Sequence, residues 1–158
     1  MAGGVLGLGA AILVVVASGW SVASSLPDDV LYVYISECPY SWDIYRQIEN
    51  GYASDVIPLP VHGISEERRT RICKTASAHL DGFARYLPEQ FVCKSLHRHA
   101  TSYAEEHFIS YPAASLHGSP VGRGELTQTL ANHGLKRPTP PHGRKASKSP
   151  DAMYSGPM

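Results

Sequence analysis

Cysteine is scarce in this chain. Three cysteines in 158 residues are too few for a scaffold built on disulfides, and an odd count suggests one pair and one left over. Net charge is absent, since 14 Lys+Arg balance 14 Asp+Glu. The balance is uneven along the chain: residues 1–135 hold nine basic and thirteen acidic side chains, and the last 23 hold five and one. A slightly acidic body lacks the basic face of a nucleic-acid-binding domain, so nucleic acid is not an expected partner. There are no internal repeats, and the length allows one domain with flanking segments rather than two domains. What the chain does have is a hydrophobic share of 43%, enough to exclude a wholly disordered polypeptide.

The two ends differ from the middle. Val5 to Val22 carries no charge and contains the run Ala10-Ala11-Ile12-Leu13-Val14-Val15-Val16-Ala17. This is short for a membrane span, which needs ~20 apolar residues, although the neighbouring glycines and Trp20 could extend it. Ser21-Val22-Ala23 offers the small residues that a signal peptidase reads. No Lys or Arg precedes the stretch, and a buried core helix is the alternative for so uncharged a segment. Residues 1–23 therefore read as an export signal, with cleavage after Ala23 and retention as a membrane anchor both open. Residues 136–158 are basic and proline-rich without apolar periodicity, and read as a disordered tail.

Between these ends the chain alternates strand and helix signals. Val30 to Ile35 is β-branched and aromatic throughout, as a strand covered on both faces should be. Trp42 to Asn50 reads as a helix stopped by Gly51. Asp55 to Val61 reads as a proline-interrupted strand near a sheet edge. A long helix is predicted from Ser65 to Leu87, on the spacing of Ile72, Ala76, His79 or Leu80, Phe83 and Leu87, with Pro88 closing it. A second helix covers Ser95 to Phe108. Pro112 to Leu116 is a strand that turns at His117-Gly118-Ser119-Pro120 into a short partner at Val121. Glu125 to His133 is the last helix, with Gly134 at its left-handed cap. The order β-α-β-α-α-β-β-α points to an α/β fold with a mixed sheet.

One cysteine falls where chemistry is expected. Cys38-Pro39-Tyr40-Ser41 lies between the first strand and the first helix. Pro39 suits the first helical position because it has no N–H to leave unsatisfied. Cys38 is thereby placed at the N-cap, where free N–H groups and the helix dipole favour a nucleophilic thiolate. Ser41, three residues on, can bring a hydroxyl toward the sulfur but cannot form a disulfide with it.

A hydrophobic strand, Cys38-Pro39-Tyr40-Ser41, a helix, and a late Tyr111-Pro112 entering a strand together resemble the thioredoxin fold. Residues 28–135 are similar in particular to the periplasmic disulfide isomerases of the DsbC/DsbG group and their relatives in conjugative transfer systems. The resemblance also takes in the proline-rich second strand, a long helix carrying Cys73, and Cys93 twenty residues later. It implies a thioredoxin-like domain with a mixed central sheet and helices on both faces. It implies Cys38 as nucleophile with Ser41 beside it, Pro112 as a cis-proline facing Cys38, and Pro39, Tyr40, Tyr111 and Pro112 along the substrate cleft. Cys73 and Cys93 would form a structural disulfide. Three departures stand out: Ser41 replaces the resolving cysteine, Tyr111 replaces a small or β-branched residue, and no N-terminal dimerisation domain is present.

Other constellations carry less. Cys93, His97, His99 and His107 invite a zinc reading, but His97 and His99 lie on different sides of a helix and no Cys-x-x-Cys supports them, so no metal is expected. Glu37 reads as a solvated strand-end carboxylate, and Arg68-Arg69-x-Arg71 beside Glu66 and Glu67 as a solvated helix face. Gly122-x-Gly124 reads as a bend rather than a phosphate loop. Two function classes follow. One is an exported thiol–disulfide isomerase or oxidoreductase with a monothiol site, needing no cofactor, acting as a monomer on protein disulfides or thiols. It would be periplasmic, either soluble after signal cleavage or tethered to the inner membrane. The other is a catalytically degenerate accessory protein that binds components of a conjugation or secretion apparatus.

Overall fold

The computed structural model describes residues 22–136. The stretch expected to be an export signal, up to residue 21, and the basic tail from residue 137 lie outside the described residues. Among the described residues, no helix is long and apolar enough to cross a membrane.

The structure is α/β, with four helices on a mixed four-stranded sheet of order β2-β1-β3-β4. Strand β1 (Leu31–Ile35) is central, as its β-branched and aromatic content predicts, and four of its five residues are buried. Strand β2 (Val56–Pro60) runs parallel to it in the register Leu31↔Val56 to Ile35↔Pro60. The Val61 N–H donates to the Ile35 carbonyl across this ladder. By alternation, the nitrogens of Pro58 and Pro60 point away from β1, toward the open edge, where a missing N–H breaks no ladder bond. Strands β3 (Ala113–Leu116) and β4 (Ser119–Pro120) form a hairpin, with β3 antiparallel to β1 from Tyr34↔Ala113 to Leu31↔Leu116.

Alternation along β1 divides the core in two. Leu31, Val33 and Ile35 meet Trp42, Ile44, Tyr45 and Ile48 of α1 (Pro39–Glu49) and Leu130 of α4 (Leu126–Asn132). Tyr34, with Ile57 and Leu59 of β2, meets Val92, Leu96, Ala100 and Ala104 of α3 (Glu89–His107). Helix α2 (Glu66–Ser77) contributes Ile72 to the first cluster and Ala76 to the second. The Cys73–Cys93 disulfide joins α2 to α3, with the Cα atoms 5.2 Å apart. Helices therefore cover both faces of the sheet.

Two helix boundaries correct the sequence expectation. The predicted Ser65–Leu87 helix ends at Ser77, and a separate 3-10 turn follows at Gly82–Tyr86. Gly82 has φ +62°, so no continuous α-helix runs from Ser65 through it to Leu87. The Asp81 N–H leaves the helical pattern to donate to the Ser25 carbonyl, 3.2 Å away. Pro88 opens the next helix as its N-cap, so α3 begins at Glu89 instead of Ser95. The left-handed position after α4 is Gly134, at φ +83°, where a Cβ would come within 2.8 Å of the Tyr52 carbonyl oxygen. At the other end of the chain, Val22–Ser25 forms a 3-10 turn. Val22 is 1% exposed in the core cluster beside α3, so cleavage after Ala23 would remove a core side chain.

Candidate active site

Strand β1 delivers the chain to α1 through Ser36, Glu37 and Cys38. Cys38 is the N-cap of α1 and Pro39 its first residue. The Trp42 N–H reaches the Cys38 carbonyl at 3.1 Å, the first turn of the helix. The Cys38 thiol is half-buried and is the free cysteine among the described residues. Pro39 and Tyr40 are exposed beside it, and Ser41 is fully buried beneath.

Ser41 does a different job from the one its position suggests. Its hydroxyl pairs with that of Ser36, Oγ to Oγ 3.3 Å, and the Ser36 Oγ accepts a hydrogen bond from the Cys38 N–H at 3.3 Å. Ser36 itself is 9% exposed. The two hydroxyls form a floor under the strand-to-helix turn and hold the Cys38 backbone in place. Sequence reasoning passed over Ser36, although a serine two residues before a backbone N–H at a helix start is a known local capping pattern.

The arginines of α2 are also more engaged than a solvated face implies. Arg68 pairs with the Glu37 carboxylate at 2.7 Å and lies over the Trp42 ring, 4.4 Å from its centroid. Arg71 makes two bonds to Glu49, at 2.9 and 2.8 Å, and lies 5.5 Å from the same ring. These contacts raise the Arg71 guanidinium further, through Glu49 above all. Glu37 accepts in addition from the Ser65 N–H at 3.2 Å, at the start of α2. An open cleft of about 420 Å³ beside Cys38 is lined by Glu37, Pro39, Trp42, Asp43, Arg46 and Arg68. Its two arginines and two carboxylates leave it close to neutral, with an indole wall.

Tyr111 and Pro112 approach from the other side. The Tyr111–Pro112 peptide bond is cis. Continuing the register beyond Tyr34↔Ala113 puts Pro112 opposite Ile35, at the end of the sheet from which Cys38 projects. The Tyr111 ring packs against the cluster beneath α3, and burial, then Glu105, pushes its hydroxyl pKa up. Cys73 and Cys93, bonded to each other, are apart from this group. Of the residues in the zinc reading, Cys93 is in the disulfide, His97 bonds the Pro60 carbonyl at 3.1 Å, and His107 bonds that of Tyr103 at 2.9 Å.

No family model, curated protein or solved structure matches the chain.

Proposed function

We propose that the chain is a thiol–disulfide exchange protein of thioredoxin-like plan, resembling the periplasmic isomerase group and working through Cys38 alone. One observation carries this reading: a half-buried free thiol at the N-cap of an eleven-residue helix, with no side chain capping the first turn. A helix start is a position at which reactive cysteines are found. The βαβ unit, the following hairpin and the closing helix agree with the thioredoxin-like plan, and the closed Cys73–Cys93 disulfide suits an oxidising compartment such as the periplasm.

The chemistry balances without a cofactor. The Cys38 thiolate attacks one sulfur of a substrate disulfide, forming a mixed disulfide and releasing the other sulfur as thiolate. A second substrate thiolate then attacks the substrate sulfur of the mixed disulfide and expels the Cys38 thiolate. The substrate has exchanged partners, no electrons have been gained or lost, and the enzyme is unchanged. Ser41 supplies no resolving thiol, so the resolving group comes from the substrate or from a small thiol.

The competing reading is a binding-only accessory of a conjugation or secretion apparatus, favoured by Ser41 being tied into the Ser36 pair. Alkylation separates the two. Under native, non-reducing conditions Cys38 should react faster than the cysteine of an unstructured peptide, and Cys38→Ala should lose all rearrangement of a scrambled disulfide substrate. Alkylation no faster than the peptide, with function intact in Cys38→Ala, establishes the accessory reading instead.

A further inference from the structure

The face of the sheet covered by α3 holds a cavity of about 370 Å³, within the size range of small-molecule sites. Leu26 and Leu59 supply apolar wall, and Tyr32, Tyr34 and Tyr103 supply rings. Its polar lining is the three tyrosine hydroxyls, Ser24, Ser115, His99 and the Asp28 carboxylate, and its one formal charge is acidic. A phenol has one hydrogen to donate. Tyr32 spends its own on the Pro27 carbonyl, and Tyr103 spends its own on the Gly118 carbonyl, 3.0 Å away. Both oxygens are left to act as acceptors. Tyr34 and Ser115 pair their hydroxyls at 3.2 Å, so one of their two hydrogens is already used. Asp28 adds a carboxylate at the exposed rim, and no lysine or arginine lines the space. His99 also lines the space, and desolvation there lowers its pKa.

Such a lining discriminates by chemistry. A carboxylate or phosphate would meet the Asp28 carboxylate with no lysine or arginine in the lining to offset it. A neutral compound would gain no charge contact from Asp28. A protonated amine has N–H groups for the Tyr32 and Tyr103 oxygens, a charge for Asp28 and for the tyrosine rings, and an apolar body for the leucines. We propose that this cavity binds a small organic ammonium ion, a primary amine carried on a compact apolar group. The site is separate from the Cys38 chemistry and does not depend on it.

Calorimetric titration of the full chain with three matched probes tests this. Phenethylammonium should bind, 2-phenylethanol should bind at least tenfold more weakly, and 3-phenylpropionate should give no heat. Asp28→Asn, at an exposed position, should weaken the ammonium by about tenfold, the size of one lost charge-assisted contact. Tyr103→Phe keeps the ring, removes the acceptor oxygen, and should weaken it as well. Equal binding of the alcohol or the carboxylate overturns the proposal. So does absence of ammonium binding, or ammonium affinity unchanged in Asp28→Asn.

Discussion

Where β1 runs into α1, polar groups pair through charge and stand partly in water: the Arg68 and Glu37 side chains are 35% and 47% exposed. Where β3 turns into β4, they pair through hydroxyls and carbonyls, under α3 and the Val22–Ser25 turn. The first arrangement leaves a nucleophile reachable, and exposed ion pairs of this kind contribute little to stability. The second borders a cavity and uses hydroxyl hydrogens on other groups of the protein. The thiol end is also contiguous, built mainly from residues 36–42 with α2 leaning on it. The tyrosine end draws on the N-terminal turn, β1, β2, α3 and the hairpin at once. One end can therefore be altered by a single local change, whereas the other depends on the whole domain staying closed.

The largest expected effect comes from the cross-link between these regions. Cys73 lies on α2, whose Arg68 and Ser65 contact the thiol end, and Cys93 lies on α3, whose His99 and Tyr103 line the cavity. The bridge spans 20 residues, and closing a loop of that length restricts the unfolded chain by about 3 kcal/mol. Replacing both cysteines by serine should lower the unfolding free energy in urea by about that amount. If stability is unchanged, the two helices hold together without the bond, and the two regions are less dependent on each other than the comparison states.

A smaller and more local effect is expected beneath Cys38. Ser36→Ala leaves the buried Ser41 hydroxyl without its partner and the Cys38 N–H without its acceptor, at a cost of about 1–3 kcal/mol. Removing both hydroxyls should cost less than the sum of the single changes, because no unpaired oxygen is left behind. Ser36→Ala should also shift the rate of Cys38 alkylation while leaving titrations at the tyrosine cavity unchanged. Strict additivity in the double-mutant cycle would show that the Oγ–Oγ contact carries nothing. A change at the cavity would show that the two ends are coupled.

The same contrast explains what the sequence disclosed. The central strand, the edge position of β2, the mixed sheet and the Cys38-Pro39 junction are legible because each rests on adjacent residues with one physical meaning. The α2–α3 boundary is not. Pro88 marks a helix end and a helix start equally well, since a proline is excluded from a helix interior but welcome at its first turn. The apolar spacing through Phe83 continued across the break, yet Phe83 is 58% exposed. Arg68 and Arg71 read as solvated because the Trp42 ring beneath them comes from another helix. The cavity has no sequence signature at all: Tyr32, Leu59, Tyr103 and Ser115 meet only through the sheet register and the packing of α3.

The smallest expected effect distinguishes the ends by pH. Burial, reinforced by Asp28 and then Asp29, pushes the Tyr32 hydroxyl from 10.0 up to about 12. Burial pushes Tyr34 up as well, against the opposing hydrogen bond from Ser115. An unfolded tyrosine titrates near 10. Below about pH 10 both states hold these protons and stability does not respond to them. Between about 10 and 12 the unfolded chain has released protons that the native state retains, so the native state binds more of them and stability falls as pH rises. The urea midpoint should therefore decline from about pH 10 upward. Tyr32→Phe should make the decline shallower, since it removes one of the hydroxyls that must ionise, while leaving Cys38 alkylation at neutral pH as it was. A midpoint that is flat or rising over this range would mean that the Tyr32 and Tyr34 hydroxyls are open to solvent, and the enclosed end of the molecule would lose the property that sets it apart from the thiol end.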